Sequence, residues 1–127
     1  MTSKHPIVHI EFSAKDLKET GQFYANVFDW ELTEFPDMNY TTFEAKPGTG
    51  GGFSPVNEGT PAGQVLVYIN TPDLKESLEK IKANGGKIVL ESMEVPTVGT
   101  IATFTDPSGN LVAVLQPEEK WIEKKES

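Results

Sequence analysis

Two stretches of the chain carry the same order of apolar and polar positions. Residues 8–17 read VHIEFSAKDL and residues 65–74 read VLVYINTPDL, and both run from a mainly apolar, extended pattern into Asp-Leu-Lys-Glu. Alternation with a period of two predicts a β-strand. Asp16 and Asp73 predict helix N-caps, because a carboxylate can accept hydrogen bonds from the free N–H groups of the first helical turn. The chain therefore contains an internal repeat whose unit begins with a strand and a helix.

Each copy continues in the same way after its helix. The NGG sequence at 84–86 ends the second helix, and DPSG at 106–109 predicts a tight turn between two strands. A Gly- and Pro-rich linker at 58–63 separates the copies. Strands are predicted at 30–35, 40–45 and 51–56 in the first copy, and at 87–93, 100–105 and 111–116 in the second.

This element order predicts an α+β fold made of two βαβββ modules. We place the first module at about 7–57 and the second at about 64–117, within a single domain 1–127 that ends in a charged tail, 118–127. A strand joined through a helix to a parallel strand, followed by hairpins, gives a mixed sheet with its helix on one face. The bare faces predict that the two copies combine into a curved half-barrel, with the helices outside and a small-molecule pocket between the copies.

Composition narrows the function classes. The 127 residues include 11 basic and 19 acidic side chains, for a formal net charge of −8, and the chain has no Cys. Nucleic-acid binding requires Lys and Arg that neutralise phosphates, so we expect no nucleic-acid partner. Disulfides and Cys nucleophiles are excluded. No apolar run is long enough to cross a membrane, and no secretory leader is recognisable, so a cytoplasmic location is expected.

Several short motifs in this order resemble a known family. The VHIEF strand before Asp-Leu, the FY pair at 23–24 before FDW at 28–30, and the closing DPSGN at 106–110 are similar to the vicinal oxygen chelate superfamily. That superfamily includes glyoxalase I, bleomycin-resistance proteins and extradiol dioxygenases. The resemblance runs from about Ile7 to Pro117. It implies a small organic ligand and a homodimer and, if the protein is an enzyme, a glyoxalase-like lyase or a dioxygenase-related activity.

The resemblance also implies where a metal would bind. Family members place ligands on the first and last strands of each module, with His or Gln at the first position and Glu at the second. The matching positions here are His9, Gly52, Leu66 and Ala113. Leu, Gly and Ala side chains cannot donate electron pairs, and a catalytic divalent ion normally needs about three protein ligands. We therefore expect no cofactor and a degenerate metal site, with His9 as a polar group of the pocket wall.

Strand alternation then predicts the rest of the pocket wall. The residues expected to contact the ligand mix aromatic, aliphatic and a few polar side chains, which is usual for a small-molecule site. The predicted ligand-binding residues are His9, Glu11, Tyr40, Phe53, Leu66, Tyr68, Ile101, Thr103 and Ala113.

Three functions follow from this pattern. The first is a glyoxalase- or bleomycin-resistance-like protein that binds a small organic molecule without a metal. The alternative is a metal-dependent lyase, isomerase or dioxygenase that uses His9 with Glu11 or Glu44. A third is a resistance protein that sequesters a drug.

Overall fold

The computed structural model describes residues 3–118, which fall into two compact units. The first unit is Val8–Val67, and the second combines the segment up to Ile7 with the chain from Tyr68 onward. The predicted charged tail at 118–127 lies outside the described residues apart from Glu118. Within residues 3–118 no helix is long and apolar enough to span a membrane.

The first unit contains one βαβββ module. Its strand order is β2-β3-β4-β1, and only the contact of β1 with β4 is parallel. A short 3-10 turn at Pro36–Met38 joins β2 to β3. The elements are β1 (Ile7–Ala14), α1 (Leu17–Phe28), β2 (Glu31–Phe35), β3 (Tyr40–Glu44) and β4 (Gly51–Pro55).

Local sequence sets the ends of α1 as expected. The Asp16 side chain accepts a hydrogen bond from the Glu19 backbone N–H at 3.0 Å, which satisfies one free donor of the first turn. At the other end Asp29 adopts a left-handed conformation with φ of 59°, and its N–H donates to the Ala25 carbonyl. Asp16 is therefore a helix cap, as predicted.

The core of the first unit is aromatic. Phe12 of β1 and Phe53 of β4 are paired in register and stack at 5.8 Å, and Tyr24 of α1 lies 5.5 Å from Phe53. Trp30 stacks on Phe43 at a centroid distance of 4.2 Å. Such aromatic pairs stabilise the fold by more than the burial of their apolar area alone. Because these rings occupy the side of the sheet that faces α1, the alternate residues of β1 point to the opposite side.

The second module begins with β5 at Val65 and belongs to the second unit from Tyr68 onward. Its strand order is β5-β8-β7-β6, with β5 and β8 parallel. The core is aliphatic: Leu74 and Leu78 of the helix pack with Ala102 and Val114 of the sheet. The elements are β5 (Val65–Asn70), α2 (Leu74–Ala83), β6 (Lys87–Val95), β7 (Gly99–Thr105) and β8 (Leu111–Pro117).

The turn between β7 and β8 is built around Asp106. Its carboxylate accepts hydrogen bonds from the Asn110 side-chain amide, the Asn110 backbone N–H and the Ser108 backbone N–H, each at 2.9 Å. These bonds, above all the one from the Asn110 side chain, hold the pKa of Asp106 below its usual value. Asp106 thus forms the turn, as its sequence context predicted.

The predicted fold class is confirmed: the chain is α+β, with two βαβββ modules and one helix on each mixed sheet. The predicted strands all form. The largest difference in bounds is β6, which continues to Val95 and carries register shifts against β7 near Leu90. Irregular pairing of this kind bends an edge strand and is not visible in a period-two pattern.

Candidate functional site

Three polar residues meet on the face of the first unit that is opposite α1. His9 and Glu11 alternate along β1 with the core-facing Ile10 and Phe12. Tyr40 reaches the same side from β3. The register explains why, because Glu11 lies beside Gly52 of β4, and Gly52 lies beside Thr42, two residues from Tyr40.

Hydrogen bonds join the three side chains, which we call the His9–Tyr40–Glu11 triad. The Tyr40 hydroxyl donates to Glu11 Oε1 at 2.9 Å and lies 2.7 Å from His9 Nε2. All three residues are partly buried. A phenol has one proton, and an ionised carboxylate can only accept. With that proton given to Glu11, His9 Nε2 must donate to the phenol oxygen, so the lone pair of a neutral His9 ring lies on its buried Nδ1.

Gly52 makes room for Tyr40. A Cβ built on Gly52 would overlap the hydroxyl, Cζ and Cε2 of Tyr40. The tyrosine ring therefore lies directly against the backbone of β4, in the space where any side chain at position 52 would begin. The glycine is what allows the phenol to sit between β1 and β3 and to bond Glu11 and His9.

The four family ligand positions do not fit a metal ion. His9 Nε2 is engaged by Tyr40. Gly52 has no side chain, and the phenol fills the space beside it. Leu66 and Ala113 are apolar and buried. Over the described range 3–118, no group of three or more His, Cys, Asp and Glu side chains is placed to hold a metal. Glu44 lies on the same side of β3 as Tyr40, but it is exposed.

Phe53 is the one predicted site residue that the structure puts on the wrong side. The residue was predicted in the pocket wall, but it pairs with Phe12 rather than with Glu11. Its ring is 0% exposed and belongs to the aromatic core under α1. The glycines before Phe53 have no side chains to mark the parity of β4, so Phe53 was placed on the same face as its neighbour Gly52, although adjacent residues of a strand point to opposite faces.

The predicted residues of the second module share one face of their own. Thr103 of β7 and Tyr68 of β5 both lie beside Ala113 of β8, and Ile101 lies beside Leu115 on the same side. This side is opposite the Ala102 and Val114 contacts with α2. Leu66 precedes Tyr68 by two residues and so points to the same side of β5. Their predicted role in ligand binding stays a prediction.

One relation in the site had no sequence signal. Tyr40 and Gly52 were both noted in the sequence, one as a pocket residue and the other as a family ligand position. Their contact depends on the pairing of β3 with β4, which alternation within single strands does not specify. A large side chain on one strand and a glycine diagonally across from it on the next strand would be the hint.

Comparisons with known proteins identify the family. Residues 6–114 match the model of the Glyoxalase/Bleomycin resistance protein/Dioxygenase superfamily. A glyoxylase-like domain-containing protein from Didymella fabae is 32% identical over 115 residues, covering 83% of this chain and 88% of that protein. The anthracycline biosynthesis protein DauV from Streptomyces sp. (strain C5) is 27% identical over 122 residues. That match covers 82% of this chain but only 44% of the longer DauV.

The fold is also that of solved members of this group. The crystal structure of methylmalonyl-CoA epimerase from Mycobacterium tuberculosis superposes with a TM-score of 0.66 at 18% identity, over 92% of this chain and 91% of that one. At this identity the likeness concerns the fold alone. The family model, however, covers most of the chain in agreement with the residues that suggested it. The chain belongs to the Glyoxalase/Bleomycin resistance protein/Dioxygenase superfamily.

Proposed function

We propose that the face of the first unit around the His9–Tyr40–Glu11 triad binds a small organic molecule without a metal ion. One observation carries this proposal. Tyr40 lies over Gly52 and bonds both His9 and Glu11, so the polar groups of the site are directed at one another instead of converging on a cation. A site that has polar side chains but no set of metal-binding side chains is suited to recognising organic molecules that form hydrogen bonds.

The surroundings of the triad support small-molecule recognition. The face carries a phenol ring, an imidazole and a carboxylate, with the hydroxyls of Thr42 and Ser54 on neighbouring strands. A few fixed polar groups beside an aromatic ring provide orientation together with apolar contact. In the second unit Tyr68 and Thr103 share a face of their own, and we propose that they also contact ligand.

The relatives suggest two kinds of ligand to test. One similar protein is named for anthracycline biosynthesis and one similar fold is a methylmalonyl-CoA epimerase. An anthracycline and methylmalonyl-CoA are therefore the first probes. We further propose a cytoplasmic location, from the sequence features described above, and a homodimer, from the family resemblance. If it is an enzyme, its activity belongs to the lyase or dioxygenase-related classes.

The test begins with metal content. The untagged full-length protein, purified without chelator, should contain far less than one equivalent of Zn, Ni, Mn or Fe by elemental analysis. Addition of each ion should give no saturable heat in calorimetry. One equivalent of metal that is lost in His9→Ala would overturn the proposal and support the metal-dependent lyase, isomerase or dioxygenase.

Ligand binding is the second half of the test. A bound molecule raises the melting temperature by mass action, so the anthracycline and methylmalonyl-CoA are compared at rising concentration. A shift that is reduced in Tyr40→Phe supports the site, because this variant loses the hydroxyl and keeps the ring. A shift of equal size in both proteins would place binding elsewhere.

A further inference from the structure

The strands of this protein are almost free of positive charge. The chain contains no Arg, and its basic side chains other than His are all Lys. Among the strands within residues 3–118, Lys87 at the start of β6 is the single Lys. Recognition of phosphate or carboxylate groups usually relies on Arg forks or on Lys placed in the site. The strand faces therefore offer an anionic ligand very little to pair with.

Three acidic side chains, in contrast, lie on the face of the triad. Glu11 is part of the triad itself. Glu44 is on the same side of β3 as Tyr40, and Glu31 of β2 lies directly across from Glu44. Glu11 and Glu44 are the only Asp or Glu residues on β1, β3, β4, β5, β7 and β8, as described in residues 3–118. The nearest Lys residues along the chain, Lys15 and Lys46, follow the ends of β1 and β3.

The triad holds the Glu11 carboxyl group in one place. Its Oε1 accepts a hydrogen bond from the Tyr40 hydroxyl, and that hydroxyl accepts one from His9. Both hydrogen bonds therefore point toward Glu11. Linked hydrogen bonds of this kind polarise one another. A fixed, partly buried carboxylate interacts with a ligand cation more strongly than an exposed one, because there is less water to screen the charge.

Aromatic rings stand beside this carboxylate. Tyr40 lies against β4, and Phe35 is paired with it across β2 and β3. The face of an aromatic ring attracts an ammonium group as well as apolar surface. The carboxylate of Glu11 and the rings of Tyr40 and Phe35 together suit a ligand that has an ammonium group at one end and an aromatic ring at the other.

We infer that the site selects organic cations, namely aromatic or polycyclic amines that are protonated at neutral pH, and rejects anionic ligands such as acyl-CoA thioesters. The inference rests on the proposed function, because it names the ligand class of the same site. The ammonium group bonds Glu11, and the aromatic part of the ligand contacts Tyr40. The overall charge of −8 adds a long-range attraction for cations.

The test uses three probes of one size that differ in charge: 2-naphthylmethylamine, 2-naphthylmethanol and 2-naphthoate. Binding to the full-length protein is measured by calorimetry at neutral pH and low salt. We expect the amine to bind about tenfold more tightly than the alcohol, the scale of one partly desolvated ion pair or cation–π contact, and the naphthoate to bind most weakly. Added salt should weaken binding of the amine and leave binding of the alcohol unchanged.

Two variants of equal charge change locate the effect. Glu11→Gln keeps the shape of the side chain and an acceptor for Tyr40, and it should reduce amine binding by about tenfold, far more than it reduces alcohol binding. Glu34→Gln is the matched control. Glu34 is exposed on β2 and lies across from Thr41, on the other side of the sheet from the triad. It should leave all three affinities within about twofold, a change of under half a kcal/mol.

The outcomes separate the inference from the function it rests on. Equal binding of amine and alcohol, or equal losses in the two Gln variants, overturns the cation preference and leaves small-molecule binding intact. Tighter binding of naphthoate that is lost in Lys46→Gln overturns it in favour of an anion site. Binding of none of the probes at millimolar concentration overturns both proposals.

Discussion

The first, third and fourth strands of the two modules share one register, but the side chains on their faces differ. In the first, Glu11 of β1 lies beside Gly52 of β4, which lies beside Thr42 of β3. In the second, Tyr68 of β5 lies beside Ala113 of β8, which lies beside Thr103 of β7. The same comparison sets His9 against Leu66 and Tyr40 against Ile101.

The cores differ as well as the faces. The first module packs its helix on aromatic rings, and the second packs its helix on Leu, Ala and Val. Hydrogen bonds between strands depend on the backbone and tolerate almost any side chain, so the register persists while both surfaces of the sheet diverge. A triad joined by side-chain hydrogen bonds lies on the face of the first module, whereas Leu66 and Ile101 occupy the positions of the second module that correspond to His9 and Tyr40. The following variants test that division.

The largest effect is expected in the aromatic core. Phe53→Ala removes a ring that is 0% exposed and contacts Phe12, Tyr24 and Phe43. Its loss should lower the free energy of unfolding by about 3–5 kcal/mol, because the rings around it cannot collapse into the cavity. Urea denaturation followed by fluorescence measures the change. Val114→Ala in the core of the second module is the counterpart, and a larger loss there would contradict the importance given to the aromatic core.

The contact of Gly52 with Tyr40 gives the next effect. Gly52→Ala should destabilise the protein by about 1–3 kcal/mol, because the new methyl group displaces the phenol ring. In a Tyr40→Ala background the same substitution should cost much less. A double-mutant cycle by urea denaturation measures this coupling. The reciprocal change in the second module, Ala113→Gly, is expected to show no coupling to Ile101→Val, and equal costs for Gly52→Ala in both backgrounds would refute the steric argument.

The hydroxyl of Tyr40 alone should matter less than its ring. Tyr40→Phe leaves partly buried Glu11 and His9 groups without their shared partner, which costs about 1–3 kcal/mol. Nitrogen NMR of the imidazole provides a second readout. In the unmodified protein a neutral His9 should carry its proton on Nε2, and in Tyr40→Phe this preference should weaken. A neutral Nδ1–H ring in the unmodified protein would reverse the assigned direction of the bonds.

The smallest effect concerns the turn at Asp106, which the first module replaces with a glycine-rich segment at 46–50. The pKa of Asp106 is lowered in the folded protein, chiefly by the Asn110 side chain. A depressed folded pKa contributes stability that is fully present above the unfolded value, about 4, and is lost as the pH falls through the folded value. Asp106→Asn should therefore flatten the stability profile slightly below pH 4. The carboxylate is exposed, so the change is small. If the stability of the variant falls with pH as steeply as that of the unmodified protein, the pH dependence comes from other carboxylates.

Sequence patterns predicted the fold well, because its elements carry strong local signals. Asp16 and Asp73 capped their helices, and the turn at 106–109 formed where Pro and Gly required it. The face of β1 was also predicted, since His9 and Glu11 alternate with clearly apolar neighbours. Phe53 was misplaced because the glycines before it have no side chains to mark the parity of β4. The Tyr40–Gly52 contact joins two strands, and no pattern within either strand encodes it.

The overlap between Tyr40 and any side chain at position 52 has a consequence for engineering. A carboxylate introduced at 52 would meet the phenol ring, which would have to move or be replaced. An acidic residue at 52 is therefore accommodated most easily once position 40 has changed. Directed evolution of this scaffold toward metal chemistry should accumulate replacements of Tyr40 in early rounds and acidic residues at 52 only afterwards.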